Sequence, residues 1–560
     1  MLEIVNLKDG DVVPHCVCLV RVCGAEIDSC RGTIYNETED NGNVITCHVN
    51  QGEFNSFVLL IEGHNELRIA CGNEEIVLNI IFKPLTNQRF VRLVYVTLLN
   101  EDKFQGPFDM NCSPSEAIKR IQTGAMVLQT FMAESLASEG LERKTFNLEM
   151  DLDDRPKVHT IQIPLTIREA CKFTEEKLWE AVALRILSSP ISDKNCKYLA
   201  FFCGTRYSNP SQKLVRHERE IVSMTRGHIS LGGGGLALVG TGALYTWATD
   251  VLDVMNSFLN DDPTDTKTLM DFSAGRGTWG ASYGTHLGSV LHELAHTFDL
   301  GHTPHGIMAR GFEDLHLFFT STKLKCDYLS QSPHHHKSMM SKSMSSSLIK
   351  DSVTFTTDFV RKIPTDNINI TVEPAKEPIA SSIVYSPSVT TRRCLHSEEQ
   401  NEQQLEDDDL ITSPRFARRN CERVVDSCSY SSSPSSKTSN YFANSHKPNI
   451  YSGTKCRAFW ARSSAILLAY HKWMNETKSG GKPELKGSVI CSTAGIRVVE
   501  LRDLHTMCFH HWEYIIKPPP PVLHLPWAQV SHWPSDHQIE VVAEDSNGNL
   551  LKGCFIPRPL

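Results

Sequence analysis

Residues 287–302 read LGSVLHELAHTFDLGH, and no other stretch restricts the chain so tightly. Leu287, Val290, Leu291, Leu294 and Phe298 recur at helical spacing and form an apolar face that must be buried. His292 and His296 stand four apart, so they project one turn apart from one side of that helix, offset from the apolar stripe. Two imidazoles so placed can grip one divalent metal, and Glu293 beside the first can reach a water on it. Asp299 and Gly301 tolerate left-handed backbone, which a sharp turn demands, so the chain can fold back and present His302 as a third ligand. Three protein ligands leave an open position for water, the mark of catalytic rather than structural zinc. Three neutral histidines suit Zn²⁺, one per chain, although the Irving–Williams order lets other metals load in vitro. Asp299 and His305 are rival third ligands. Asp299 lies on the ligand face only if the helix continues past 298, and His305, after Pro304, needs a wider loop. Alone, HExxH arises by chance and a histidine pair is an ordinary helix surface; the third histidine at this offset is what favours a metal site.

The rest of the composition narrows the classes. The chain has 560 residues, 40% apolar and 22% charged, enough for a sizeable core without disulfides. Its formal net charge of −9 argues against a dedicated nucleic-acid or membrane-surface binder, since both want a basic face. No apolar run is long enough for a transmembrane helix. The start, MLEIVNLKDGDVV, has neither the basic nor the apolar region of a signal peptide. A chain that is not secreted keeps its 18 cysteines as free thiols in a reducing compartment, cytoplasmic with nuclear entry open. No CxxC pair occurs, which disfavours a cysteine zinc site and a thioredoxin motif.

Composition shifts divide the chain. Residues 1–85 alternate in short strands with turn clusters such as Glu62-Gly63-His64-Asn65 and Gly72-Asn73, which predicts a small Ig-like β-sandwich. From 86 to 325 helices interleave with strands, an α/β (α+β) layer domain. The dense apolar run 91–99 and the run 197–203 read as buried strands, and 145–150 alternates as a further strand. Ser113, Pro114 and Glu116 predict a helix start with a capping box, and Thr174 caps a second helix through Leu187. Residues 326–450 are crowded with serine and lack apolar periodicity, so they are expected to be a disordered insert. Order returns with a helix over 459–474, inside a 451–478 segment that packs on the preceding domain through Ile466, Leu467 and Leu468. A β-rich carboxyl-terminal unit, 479–560, closes on a hairpin around Asn547-Gly548.

The spacing His292-Glu293-x-x-His296-x-x-Asp299-x-x-His302 resembles the metzincin zinc-peptidase signature. Gly306-Ile307-Met308-Ala309 resembles the methionine turn of that clan. HELAHTFDLGH…HGIMARGF, the upstream glycine-rich strand and FWARSSAILLAYHKW together resemble a eukaryotic family of metzincin-like zinc metallopeptidases. In that family a β-rich module precedes the peptidase, and yeast relatives carry a jacalin-like unit at the carboxyl end. The resemblance covers 85–325 and 455–560, not the insert. It implies a metzincin-like peptidase core, with Met308 underlying the metal by packing. Asp299 stands where the clan has glycine. Arg310 stands where some metzincins have tyrosine; it is a candidate oxyanion or substrate contact, or a salt-bridged surface residue.

Residues 228–247 (HISLGGGGLALVGTGALYTW) have no GxxxxGK, so a phosphate loop is excluded. The resemblance implies an edge strand lining a cleft, along which a peptide could add; a glycine-rich turn is the other reading. His334–His336 reads as drift in the insert. Serines before proline in 326–450 and the prolines of 518–521 would serve phospho-regulated or proline-motif partners, the latter stretch also reading as a spacer. The function so implied is a zinc-dependent peptidase acting on peptide or protein substrates through a metal-activated water, with Glu293 as general base. The alternatives are a metal-binding scaffold of little or no activity and a hydrolase of non-peptide substrates.

Overall fold

The apolar run at 91–99 forms the strand Phe90–Thr97, buried from Val91 onward, at the heart of a five-stranded sheet. In this computed structural model, residues 1–24, 31–38, 44–215, 217–320, 456–476, 478–503, 505–515, 518–525 and 539–555 are described. The insert at 326–450, its histidine tract and its Ser-Pro sites lie outside them. The described residues fall in one unit, Met1–Cys326 with Asp407–Leu560.

The sheet runs Val158–Gln162, Phe90–Thr97, Cys196–Phe202, Leu236–Gly240, Ser230–Gly233. Its first four strands are parallel, with Leu199 paired to Leu93 and to Ala237. Unbroken apolar strands of this kind suit a parallel sheet buried on both faces. The outermost strand, Ser230–Gly233, is antiparallel to its neighbour. The strand expected at 145–150 is reduced to isolated bridges at Leu148 and Met150, because Val158–Gln162 takes the adjacent edge of Phe90–Thr97. The 25-residue helix Pro114–Ser138 packs on Phe90–Thr97 and on Val17–Cys23. Ser113 precedes it without making a side-chain cap; the capping box forms instead at Thr166 and Glu169.

The first 82 residues form two sheets. One holds Glu3–Ile4, Val17–Cys23 and Phe54–Leu59; the other orders Asp11–Val13, Glu74–Phe82, Gly63–Cys71, Arg31–Asn36 and Ile45–His48. Leu67, Ile69, Leu78 and Ile80 are among the residues of a core of their own. Thr130 in the long helix donates to the Val17 carbonyl at 2.8 Å, tying these sheets to the rest.

After the insert, Arg462–Tyr470 is helical, shorter than the 459–474 expected. Asn475 folds back and donates to the carbonyls of Ala469 and His471, closing the end at 3.1 and 2.9 Å. Ile466, Leu467 and Leu468 are buried in the same core as Phe131 and Leu294, and Trp460 meets Phe131 edge-on at 6.1 Å. A four-stranded sheet follows, ordered Cys508–Glu513, Ile496–Arg502, Ile539–Asp545, Leu550–Phe555, the last two forming the hairpin. Pro520 and Pro521 accept hydrogen bonds from Ile496 and Ser492 at 2.8 and 2.9 Å, which builds the proline stretch into the sheet. The whole is a mixed α/β architecture with many sheets and few helices. Among the described residues, no helix is long and apolar enough to cross a membrane.

Candidate metal centre

The helix carrying the histidines runs Trp279–Thr297 and is capped by Thr278, whose hydroxyl accepts from Ala281 N–H at 3.3 Å. It is buried almost all round, so its neighbours must come close. Gly288 makes this possible: a Cβ there would lie 2.0 Å from the Phe312 carbonyl oxygen. The Phe312 ring consequently stands 5.5 Å from that of His292.

His292, His296 and His302 converge, with one nitrogen from each within 4.8 Å of the others. His292 Nδ1–H donates to the Ile307 carbonyl at 2.8 Å, and His296 Nδ1–H donates to the Leu300 carbonyl at 2.9 Å. Those bonds leave both Nε2 lone pairs facing the centre, 3.1 Å apart. Two lone pairs at that distance repel unless a cation or proton lies between them. Burial opposes the proton: it holds His292 down to about 4, His302 to about 3 and His296 well below its ordinary value. His302 Nε2 is buried with no hydrogen-bond partner. Three neutral, convergent imidazole nitrogens are what a borderline-soft divalent metal requires, so the residues present fit zinc.

The turn that brings in His302 uses Asp299 in the left-handed region, φ 65°. Gly301 serves differently from the sequence expectation, since its φ is not left-handed. A Cβ there would stand 2.4 Å from the Thr506 carbonyl oxygen. The Asp299 carboxylate turns away from the histidines and pairs with Lys552. His305 is exposed and outside the cluster.

Glu293 is nearly buried, 8% exposed, and Ser230 of the outermost strand donates to its Oε1 at 3.1 Å. Burial pushes its carboxyl up to about 7 against the pull of the Ser230 hydroxyl and the Gly232 N–H. Gly232 lets the strand approach: a Cβ there would lie 2.0 Å from the Glu293 carbonyl oxygen. Gly234, φ 54°, makes the hairpin turn. The glycine run thus supplies both an edge strand and its turn. Met308 is buried in the core, and its carbonyl accepts from Thr303 N–H at 3.1 Å. Arg310 is engaged by Glu313 and Glu218, at 2.5 and 3.2 Å. Arg502 and Thr506 were not singled out from sequence, and no local pattern marks them; Ser230 and Gly232 lie in the glycine-rich stretch expected to line the cleft, but their contacts with Glu293 were not expected.

The family described as "Putative peptidase family" matches residues 1–400. The chain belongs to that family. Two curated yeast proteins are similar, each named "Putative zinc metalloproteinase". The one from Schizosaccharomyces pombe is 22% identical over 297 residues, 49% of this chain and 46% of its own length. The one from Saccharomyces cerevisiae is 24% identical over 311 residues, 49% of this chain and 43% of its own length. The match therefore spans less than half the length of either relative. Among solved structures, wild-type OgpA from Akkermansia muciniphila is 10% identical with a TM-score of 0.37, over 84% of this chain and 94% of that one. A catalytically inactive OgpA in complex with an O-glycopeptide substrate gives 11% and 0.38, with the same coverage.

Proposed function

We propose that this protein is a zinc-dependent peptidase of metzincin type, with one zinc held by His292, His296 and His302. The observation that carries the reading is the convergence of three neutral imidazoles whose second nitrogens are occupied elsewhere, with Glu293 one residue from the first. Zinc there would supply Lewis acidity to a scissile carbonyl and to the attacking water. Glu293 accepts the proton of that water and passes it to the leaving amine. Ser230 holds one carboxylate oxygen, which fixes the direction in which the other points. A peptide lies along the edge of Ser230–Gly233 that no other described strand pairs, as an added strand with its backbone register set beside Glu293. Ile307 orients His292 through its carbonyl, and Met308 fills the core behind that turn. An oxyanion role for Arg310 would require it to leave Glu313 and Glu218, so we give it none. Glu293→Ala tests the reading: zinc content should stay near wild type while peptide hydrolysis falls at least about 10²-fold. Unchanged hydrolysis would overturn it.

A further inference from the structure

The loop that presents His302 is gripped by residues from the far side of the insert. Arg502, buried against Glu500 at 2.6 Å, donates to the Asp299 carbonyl at 2.9 Å. Gly301 packs so closely on this partner that a Cβ would lie 2.8 Å from Arg502 Nε. His302 itself forms a parallel bridge with Met507, and its carbonyl accepts from Cys508 N–H at 2.8 Å. The turn carrying Met308 is held likewise: Ile307 N–H donates to the Phe459 carbonyl at 2.8 Å. Thus the segments 299–302 and 306–308, which shape the centre, both take their outer hydrogen bonds from residues after 455.

Within this grip the ring of His302 meets the backbone of His505 and one side chain. Thr506 Oγ1 lies 3.3 Å from His302 Nδ1. Thr506 is held at φ 62°, a left-handed conformation that a β-branched residue avoids. A conformation of that kind persists only where the surroundings over-determine it. Here its consequence is a hydroxyl aimed at the one histidine of the three that a regular helix does not position. With Nδ1–H donating outward, Nε2 keeps its lone pair for the centre, the same arrangement that Ile307 and Leu300 impose on the other two rings.

We infer that Thr506 is a positioning residue for the metal centre: together with the His505 backbone its hydroxyl sets the ring of His302, so the site is completed by chain that follows the insert. The inference rests on the three-histidine reading above. The test uses the full-length protein and measures zinc affinity by competition with a chromogenic chelator, beside the melting temperature of the metal-free form. Thr506→Ala should weaken zinc binding roughly 10–100-fold, the usual effect of removing such a partner, and Thr506→Ser should restore it. Thr506→Gly, which relieves the left-handed backbone, should melt no lower than wild type when metal-free yet still bind zinc weakly. His302→Ala is the control for the underlying reading. If His302→Ala loses zinc while Thr506→Ala binds as tightly as wild type, the inference is wrong and the zinc site stands. If Thr506→Ser binds as weakly as Thr506→Ala, or zinc affinity across the three variants follows metal-free stability, the role is structural and the inference is again wrong. If His302→Ala binds zinc like wild type, the three-histidine reading itself fails.

Discussion

Gly232→Ala disturbs the centre without touching any proposed ligand. A Cβ at this position would lie 2.0 Å from the Glu293 carbonyl oxygen, 2.6 Å from its carbon and 2.8 Å from its Cα. All three are helix backbone atoms and cannot swing aside. Ordinary contact returns only if the strand backs away by roughly 1.5 Å. Overpacking of this kind costs about 1–3 kcal/mol. The retreat also breaks the 3.1 Å bond from Ser230 to Glu293, a loss of about 1 kcal/mol. A peptide laid along the displaced strand would be misplaced by a similar distance, and an error near 1 Å can cost about 10²-fold in rate. The expected variant therefore keeps its zinc, melts lower and hydrolyses peptide with kcat/KM down about 10²-fold. Gly275→Ala is the control, because φ there is +82° but nothing lies within 4 Å of an added Cβ. It should cost about 1–2 kcal/mol of backbone strain and leave hydrolysis alone. Differential scanning fluorimetry and a fluorogenic peptide assay on both variants decide the matter. A Gly232→Ala protein that melts and cleaves like wild type refutes the packing argument.

Other outcomes follow from the same geometry. His302→Ala should lose most of its zinc by elemental analysis, whereas Asp299→Asn should keep it; the reverse pattern would make Asp299 the ligand. Asparagine accommodates the left-handed turn, while the pair with Lys552 is lost, so a lower melting temperature is expected at unchanged zinc content. Chelation should lower the melting temperature, since zinc at about 1,000 times its Kd stabilises the folded state by about 4 kcal/mol. A melting temperature indifferent to zinc and chelator would contradict a site that exists only in the folded chain. Deleting 326–450 should leave zinc binding intact, whereas 1–325 alone should bind little zinc, because Phe459, Arg502 and Thr506 would be missing; a stable, fully loaded 1–325 would be evidence against that division.

The sequence discloses what is local. His292, Glu293 and His296 lie within one helical turn or so of each other, and Asp299 was legible as a left-handed turn residue because few side chains tolerate that backbone. Leu287, Val290, Leu291, Leu294 and Phe298 are all buried, as their spacing required. Gly301 was read for the wrong reason: its value lies in the approach of Thr506 and Arg502, about 200 positions away, which no local pattern encodes. The stretch holding Ser230 and Gly232 was legible as an edge strand, but its contact with Glu293, 63 and 61 positions later, was not. The segment at 145–150 alternates like a strand but loses its neighbour to Val158–Gln162, a competition settled by the sheet as a whole. Ser113 has the residue type of a cap, yet its hydroxyl pairs with Ser115 at 2.9 Å instead.

The most direct test of a peptidase working through Glu293 is hydrolysis of a broad peptide library by zinc-loaded wild type and zinc-loaded Glu293→Gln side by side. Glutamine can still hydrogen-bond to water and to Ser230 but cannot accept the proton. The expected result is cleavage by wild type, reduced at least about 10²-fold in the variant at equal zinc content. Equal cleavage by both proteins, or no cleavage by a fully loaded wild type, would contradict it.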